Sequence, residues 1–202
     1  KQPFREESLL SGYLESTNKP YAISKITGIK LCESYNRQYS TDFRSVMPTN
    51  LYGPNDNYDD YNSHVIPALI RRIHFAKIKN KKEVVIWGSG KPLREFLHVD
   101  DLANACIHVL LLPKKKYDKI TKPMCSHINI GSGEEISIKK LAITIKEIVG
   151  FRGIIKFDLT KPDGAKRKVM DNTKVKAMGW SHNIPLADGL TSVYKEIKNK
   201  LK

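Results

Sequence analysis

Tyr21 and Lys25 are the residues of this chain whose types and spacing most directly suggest proton chemistry. A phenol titrates near ~10 and is by itself a poor acid or base at neutral pH. An ammonium held one helical turn away favours the phenolate and brings the phenol into working range. Reduction of a carbonyl by hydride needs such a group, because the oxygen must receive a proton as the carbon receives hydride. The surrounding sequence can position the pair. Pro20 fixes φ at a value suited to a first helical turn, and Asn18 is placed to cap it. Ile26, Ile29, Leu31 and Tyr35 recur at roughly helical spacing, so a helix over residues 20–39 puts Tyr21 and Lys25 on one face. A bare Tyr-x-x-x-Lys also arises by chance in lysine-rich helices, so its weight depends on the motifs downstream of it.

His64 is the second candidate, since an imidazole titrates near neutrality and can act as acid or as base. Taken alone, a histidine at a helix start serves equally as a cap or a packing residue. Its setting is Asn62-Ser63-His64-Val65-Ile66-Pro67, which opens a helix over residues 64–77. Before it, residues 46–54 read as a strand end running into a turn. After it come a short strand over residues 83–87 with the turn Gly88-Ser89-Gly90, and the block from Arg94 to Asp101 leading into a helix over residues 99–112. Lys161-Pro162-Asp163-Gly164, with Arg167-Lys168, is a further distinctive stretch.

This ordered set resembles the carboxyl-terminal part of the extended short-chain dehydrogenase/reductase family. Within it, the resemblance is to the branch acting on a GDP-linked 4-keto sugar. It runs from about Pro20 to the helix near Tyr194. It implies the end of a doubly wound, Rossmann-type cofactor domain in residues 1–60. Residues 61–202 then hold mainly a smaller α/β substrate domain, interleaved with the last cofactor-domain elements. It also implies NADPH-dependent 3,5-epimerisation and 4-reduction of GDP-4-keto-6-deoxy-mannose, in a cytoplasmic enzyme that is a homodimer through a helix bundle when complete.

The resemblance distributes roles residue by residue. Tyr21, Lys25 and His64 are the expected catalytic group. Tyr21, Lys25, Pro48, Asn50, Leu51 and His64 are the expected NADP contacts. Asn50, Arg72, Trp87, Arg94 and Lys168 are the expected contacts to the nucleotide sugar. Arg94 suits the diphosphate, because a guanidinium binds such an anion through two parallel hydrogen bonds. Arg72 and Lys168 read equally as surface charges without the resemblance, and Trp87 as a core residue. Asp100 and Asp101 are expected to cap a helix and complement its dipole, and His98 to be structural.

The sequence also departs from the family pattern. It holds no Gly-x-Gly-x-x-Gly, and its two Gly-Ser-Gly turns, at residues 88–90 and 131–133, lack the third glycine and fall late. It begins at Lys1. The expectation is a fragment lacking the half that carries the family's catalytic serine and acid-base cysteine. None of Cys32, Cys106 or Cys125 stands at the cysteine's position. Such a fragment is expected to be inactive alone.

Composition narrows the remaining classes. With 202 residues, 40% of them hydrophobic, the chain can bury a sizeable core. It has no apolar run of membrane-spanning length and no signal-peptide pattern. Three cysteines without paired spacing indicate neither a disulfide framework nor a zinc site, and are expected in the core. No metal is expected. The net charge of +14 comes from scattered lysines, with clusters at residues 79–82 and 114–116 that read as solvated loops. No nucleic-acid module accompanies them, so no nucleic-acid partner is expected. Further elements are a strand over 43–48, a strand over 127–130, a helix from the Ser137 cap to 149, a strand over 153–157 and a helix over 186–200. Alternating strands and helices give an α/β class with a parallel sheet. Two other readings stay open: a different nucleotide-sugar epimerase, dehydratase or reductase, or a non-catalytic nucleotide-sugar binder.

Overall fold

A computed structural model describes residues 2–59 and 62–201. Helix α1 (Lys19–Tyr39) carries Pro20 in its first turn and ends at Ser40 in the left-handed conformation. Asn18 holds the N-cap position, but its side chain makes no capping bond. Its backbone (φ −113°, ψ 7°) is not the extended form that aims a cap side chain at the first free N–H groups. Strands β1 (Val46–Pro48) and β2 (Asn50–Tyr52) come next, separated only by Thr49. Then come α2 (Val65–Ile78), β3 (Glu83–Trp87), β4 (Leu93–His98), α3 (Val99–Leu111) and α4 (Lys114–Ile120). The chain continues through β5 (Ile128–Ile130), β6 (Glu135–Ser137), α5 (Ile138–Val149), β7 (Ile154–Asp158), β8 (Arg167–Lys168), α6 (Thr173–Ala177) and α7 (Leu186–Ile197).

The sheet is in three pieces. β1 pairs with β5, β3 with β7, and β4 lies centrally with β2, β6 and β8 against it. The β4–β6 pairing is antiparallel, and the others among the described residues are parallel. One core gathers α2, α5 and α7 around Tyr52, Ile70, Ile73, Leu141, Ile145 and Leu190. A second forms around Leu97, Ala105, Val109, Ile128, Ile130 and Trp180. No helix among the described residues is long and apolar enough to cross a membrane.

Several expectations need correction. The strand expected from residue 43 starts at Val46, because the flanking residues are held otherwise. Phe43 N–H donates to Asn36 Oδ1, and Arg44 turns inward to donate to the Val109 and Leu112 carbonyls at 2.6 Å each. The stretch read as a strand end and turn contains β2, and the approach to α3 is itself the strand β4. Charged Arg94 and Glu95 disguised β4, yet Glu95 is fully buried. Lys114, Lys115 and Lys116 open a helix, steadied by a Lys114–Asp118 ion pair. The last helix stops at Ile197. All three cysteines are free and only half-buried, not core residues. The boundary expected between residues 60 and 61 falls outside the described residues.

Candidate active site

Three of the expected nucleotide-sugar residues converge. Arg72 from α2, Trp87 at the end of β3 and Arg94 on β4 line one cavity of about 230 Å³, closed on one side by Pro162, Asp163 and Gly164. Alternation along β3 buries Ile86 beneath and leaves Trp87 66% exposed, so Trp87 is not a core residue. The Lys161 ammonium stands over its ring, 5.6 Å from the centroid. Arg72 donates to the Val85 carbonyl at 3.0 Å. Arg94 Nη1 donates to the Leu93 and Ala165 carbonyls at 2.8 and 2.7 Å. Arg94 Nη2 makes no hydrogen bond among the described residues, and Gly164 leaves it room: a Cβ there would come within 3.1 Å. Burial pushes the Arg94 guanidinium below its ordinary pKa, though a guanidinium stays charged in proteins.

Lys168 is not in the cavity wall. Its strand pairs with β4 so that Lys168 lies opposite Arg94. His64 holds the N-cap position of α2, two turns before Arg72, exposed and without a capping bond from its side chain.

The other expected cofactor residues lie on α1, β1 and β2, and none of them lines the cavity. Tyr21 and Lys25 are exposed on α1, and Lys25 Nζ lies 5.4 Å from the Tyr21 ring centroid. Neither the phenol oxygen nor the ammonium has a hydrogen-bond partner among the described residues. Pro48 ends parallel strand β1, the strand end beyond which α/β sheets hold ligands. Asn50 Nδ2 donates to the Glu95 carbonyl at 2.9 Å, tying β2 to the strand that carries Arg94. The Leu51 side chain is occupied against the second core. Tyr21 and Lys25 offer an exposed phenol and an exposed ammonium, and Pro48 a parallel strand end, chemistry that suits the nicotinamide end of a dinucleotide.

Two contributors escaped sequence reading. The Glu95 carboxylate, 0% exposed, accepts the N–H groups of Gly133 at 2.7 Å and Met170 at 2.9 Å, and Asn172 Nδ2 at 3.1 Å. It thus fastens two distant segments, around Gly133 and Met170–Asn172, to β4. Asp163 accepts the backbone N–H of Ser89 at 2.8 Å and its hydroxyl at 2.6 Å. Neither pairing has a local signal, since the partners stand 38 to 77 residues apart. Asp101 also differs from expectation. It is buried and accepts the Asn183 and Ile184 N–H groups at 3.0 Å, holding the segment before α7. The side-chain cap of α3 is His98, whose Nδ1 accepts the Asp100 N–H at 3.3 Å.

An α/β sheet with parallel strand ends, an exposed Tyr-x-x-x-Lys pair and a cationic pocket are the features to set beside known proteins. Residues 1–131 match the NAD dependent epimerase/dehydratase family, and the chain belongs to it. Among curated relatives, the GDP-L-fucose synthase of Escherichia coli K12 is 58% identical over 195 residues, covering 96% of this chain and 61% of that protein. A GDP-6-OMe-4-keto-L-xylo-heptose reductase from C. jejuni superposes with TM-score 0.88 at 38% identity, over 99% of this chain and 66% of that one. A GDP-L-fucose synthetase from Naegleria fowleri bound to NADP superposes with TM-score 0.86 at 30% identity, over 99% and 62%. The chain therefore spans under two thirds of these relatives' lengths, and it shares their doubly wound α/β fold.

Proposed function

We propose that this chain belongs to a GDP-L-fucose synthase, in which GDP-4-keto-6-deoxy-mannose is epimerised at C3 and C5 and then reduced at C4. The convergence of Arg72, Trp87 and Arg94 on one pocket carries this reading, and the names of the relatives support it. Arg94, through its unengaged Nη2, and Arg72 bind the diphosphate, Lys168 adds charge at its edge, and Trp87 lies against the nucleotide. Asn50 holds the sugar.

The C4 carbonyl acidifies the protons on C3 and C5. His64 exchanges a proton at these carbons on one face, and an acid-base partner outside this chain serves the other. NADPH, when bound, supplies hydride to C4. Tyr21 donates its proton to the C4 oxygen, and the Lys25 ammonium stabilises the phenolate left behind and holds the nicotinamide ribose. Pro48, Asn50 and Leu51 border the same cofactor. Residues 1–60 belong to the cofactor domain and residues 61–202 mainly to the substrate domain, interleaved with the last cofactor-domain elements; the packing of Val46 and Leu51 against the core of Leu97, Val109, Ile128 and Ile130 supports that interleaving. A homodimer is supported by Ile23, Leu31, Tyr35 and Tyr39, exposed on α1, which a helix bundle would cover. The free cysteines fit a reducing compartment such as the cytoplasm.

The test is NADPH oxidation with GDP-4-keto-6-deoxy-mannose, by this chain alone and joined to the amino-terminal part of the E. coli relative. Turnover in the joined form is expected. Absence of turnover in both forms would remove the proposed activity.

A further inference from the structure

We propose that Asp163 is a positioning residue that latches residues 159–166 across the nucleotide pocket, so that opening of this latch sets how fast a nucleoside diphosphate leaves. The proposal rests on the nucleotide reading of the pocket.

Residues 159–166 leave the end of β7 and return just before β8. Both ends are secured by backbone bonds that do not involve Asp163. Gly88 N–H donates to the Asp158 carbonyl at 2.9 Å, and Leu93 N–H donates to the Lys166 carbonyl at 2.9 Å. Asp158 also stiffens the start by accepting the Thr160 N–H and hydroxyl at 3.0 and 2.6 Å. Between these anchors, Pro162 and Gly164 form the pocket wall. Asp163 lies between them and reaches across to Ser89 with both carboxylate oxygens. Ser89 is itself set by its hydroxyl, which accepts the Lys91 N–H at 3.1 Å.

Gly88 is shaped to this contact. Its φ of +81° is left-handed, and a Cβ there would collide with the Asp163 carboxylate. The Ser89 bonds also hold the Asp163 carboxyl below the usual carboxylate range, so the charged acceptor persists in mild acid. Because the ends are tied independently, losing the Asp163 contact frees the wall and leaves the strands paired. Besides Lys161 over the Trp87 ring, this wall is also held by the Arg94 bond to the Ala165 carbonyl, which links the latch to the group proposed for the diphosphate.

The experiment has two readouts on this chain. Hydrogen exchange by mass spectrometry tracks residues 159–166, and stopped-flow Trp fluorescence tracks GDP binding and release. Asp163→Ala is expected to speed exchange in residues 159–166 without changing α2 or β3, and to raise the GDP dissociation rate about tenfold. Ser89→Ala, which keeps the backbone donor, should give a smaller rise, and Asp163→Asn, which keeps an acceptor, should recover part of the loss. Exchange in the unsubstituted chain as fast as in Asp163→Ala would overturn the latch. So would a faster-exchanging loop that leaves GDP release unchanged. If the unsubstituted chain does not bind GDP, the nucleotide reading fails and the release half of the proposal with it; exchange still decides the latch.

Discussion

Lys25 Nζ stands 5.4 Å from the centre of the Tyr21 ring, a contact made across one turn of α1. The ammonium thus stands over the ring that would carry a phenolate's charge, on an exposed face. In the complete enzyme, Tyr21→Phe is predicted to lower the rate of C4 reduction by about a hundredfold or more, the scale of a lost general acid. GDP binding should not change, since Tyr21 does not line the cavity proposed for the nucleotide. Normal NADPH oxidation by Tyr21→Phe would remove Tyr21 from the mechanism.

Arg94 uses one guanidinium nitrogen to hold two carbonyls and keeps Nη2 unengaged among the described residues. A lysine cannot do both, because its three donors sit on one atom and lack the planar fork. Arg94→Lys should therefore raise KM for the GDP-sugar about tenfold while leaving kcat within a few-fold. Steady-state kinetics over a range of sugar concentrations would check this, and an unchanged KM would contradict the assignment.

Among the described residues the Glu95 carboxylate meets N–H partners, two backbone donors and one amide. Glu95→Ala leaves the buried Asn172 donor and the partly buried Gly133 and Met170 N–H bonds without their acceptor, a loss of roughly 3 kcal/mol. Glu95→Gln retains one acceptor oxygen and should lose about half as much. Urea unfolding midpoints would show the ordering, and a loss below about 1 kcal/mol in Glu95→Ala would contradict it.

Burial pushes both His127 and His74 below the ordinary imidazole pKa of 6.5. Each has a ring nitrogen without a hydrogen-bond partner among the described residues. Below about 6.5 the unfolded chain takes up protons that the folded chain refuses, so stability falls as pH drops from that value toward the folded pKa values. Chemical unfolding at pH 7.5 and pH 5.5 should show the higher stability at pH 7.5. Replacing His127 with Gln should flatten this slope, and an unchanged slope would assign it to other groups.

Much of the fold was readable wherever a single element carried its own signal. The helix over residues 20–39 has Pro20 at its start and apolar spacing along it, and the structure differs by one residue. Ser137 caps α5 as expected, accepting the Lys140 N–H. Strand β4 was missed because Arg94 and Glu95 break apolar alternation, and Glu95 is buried only by donors brought from far along the chain. Likewise, Trp87 and Arg94 stood out in the sequence through their motif, whereas the role of Asp163 depends on a turn 74 residues away. Local pattern reports elements; it does not report which distant N–H groups will meet a carboxylate.

His64 begins the helix that carries Arg72, with an exposed side chain that caps nothing. In the complete enzyme, His64→Ala is predicted to abolish epimerisation while still reducing a simpler 4-keto sugar. Loss of both steps in equal measure would count against that role.

The most direct test of the proposed function is the reaction of the joined enzyme in deuterated water, with the product sugar examined by NMR and mass spectrometry. A GDP-L-fucose synthase places solvent deuterium at both C3 and C5 for each NADPH consumed. NADPH consumption without deuterium at either carbon would make this a simple 4-keto reductase and contradict the proposed function.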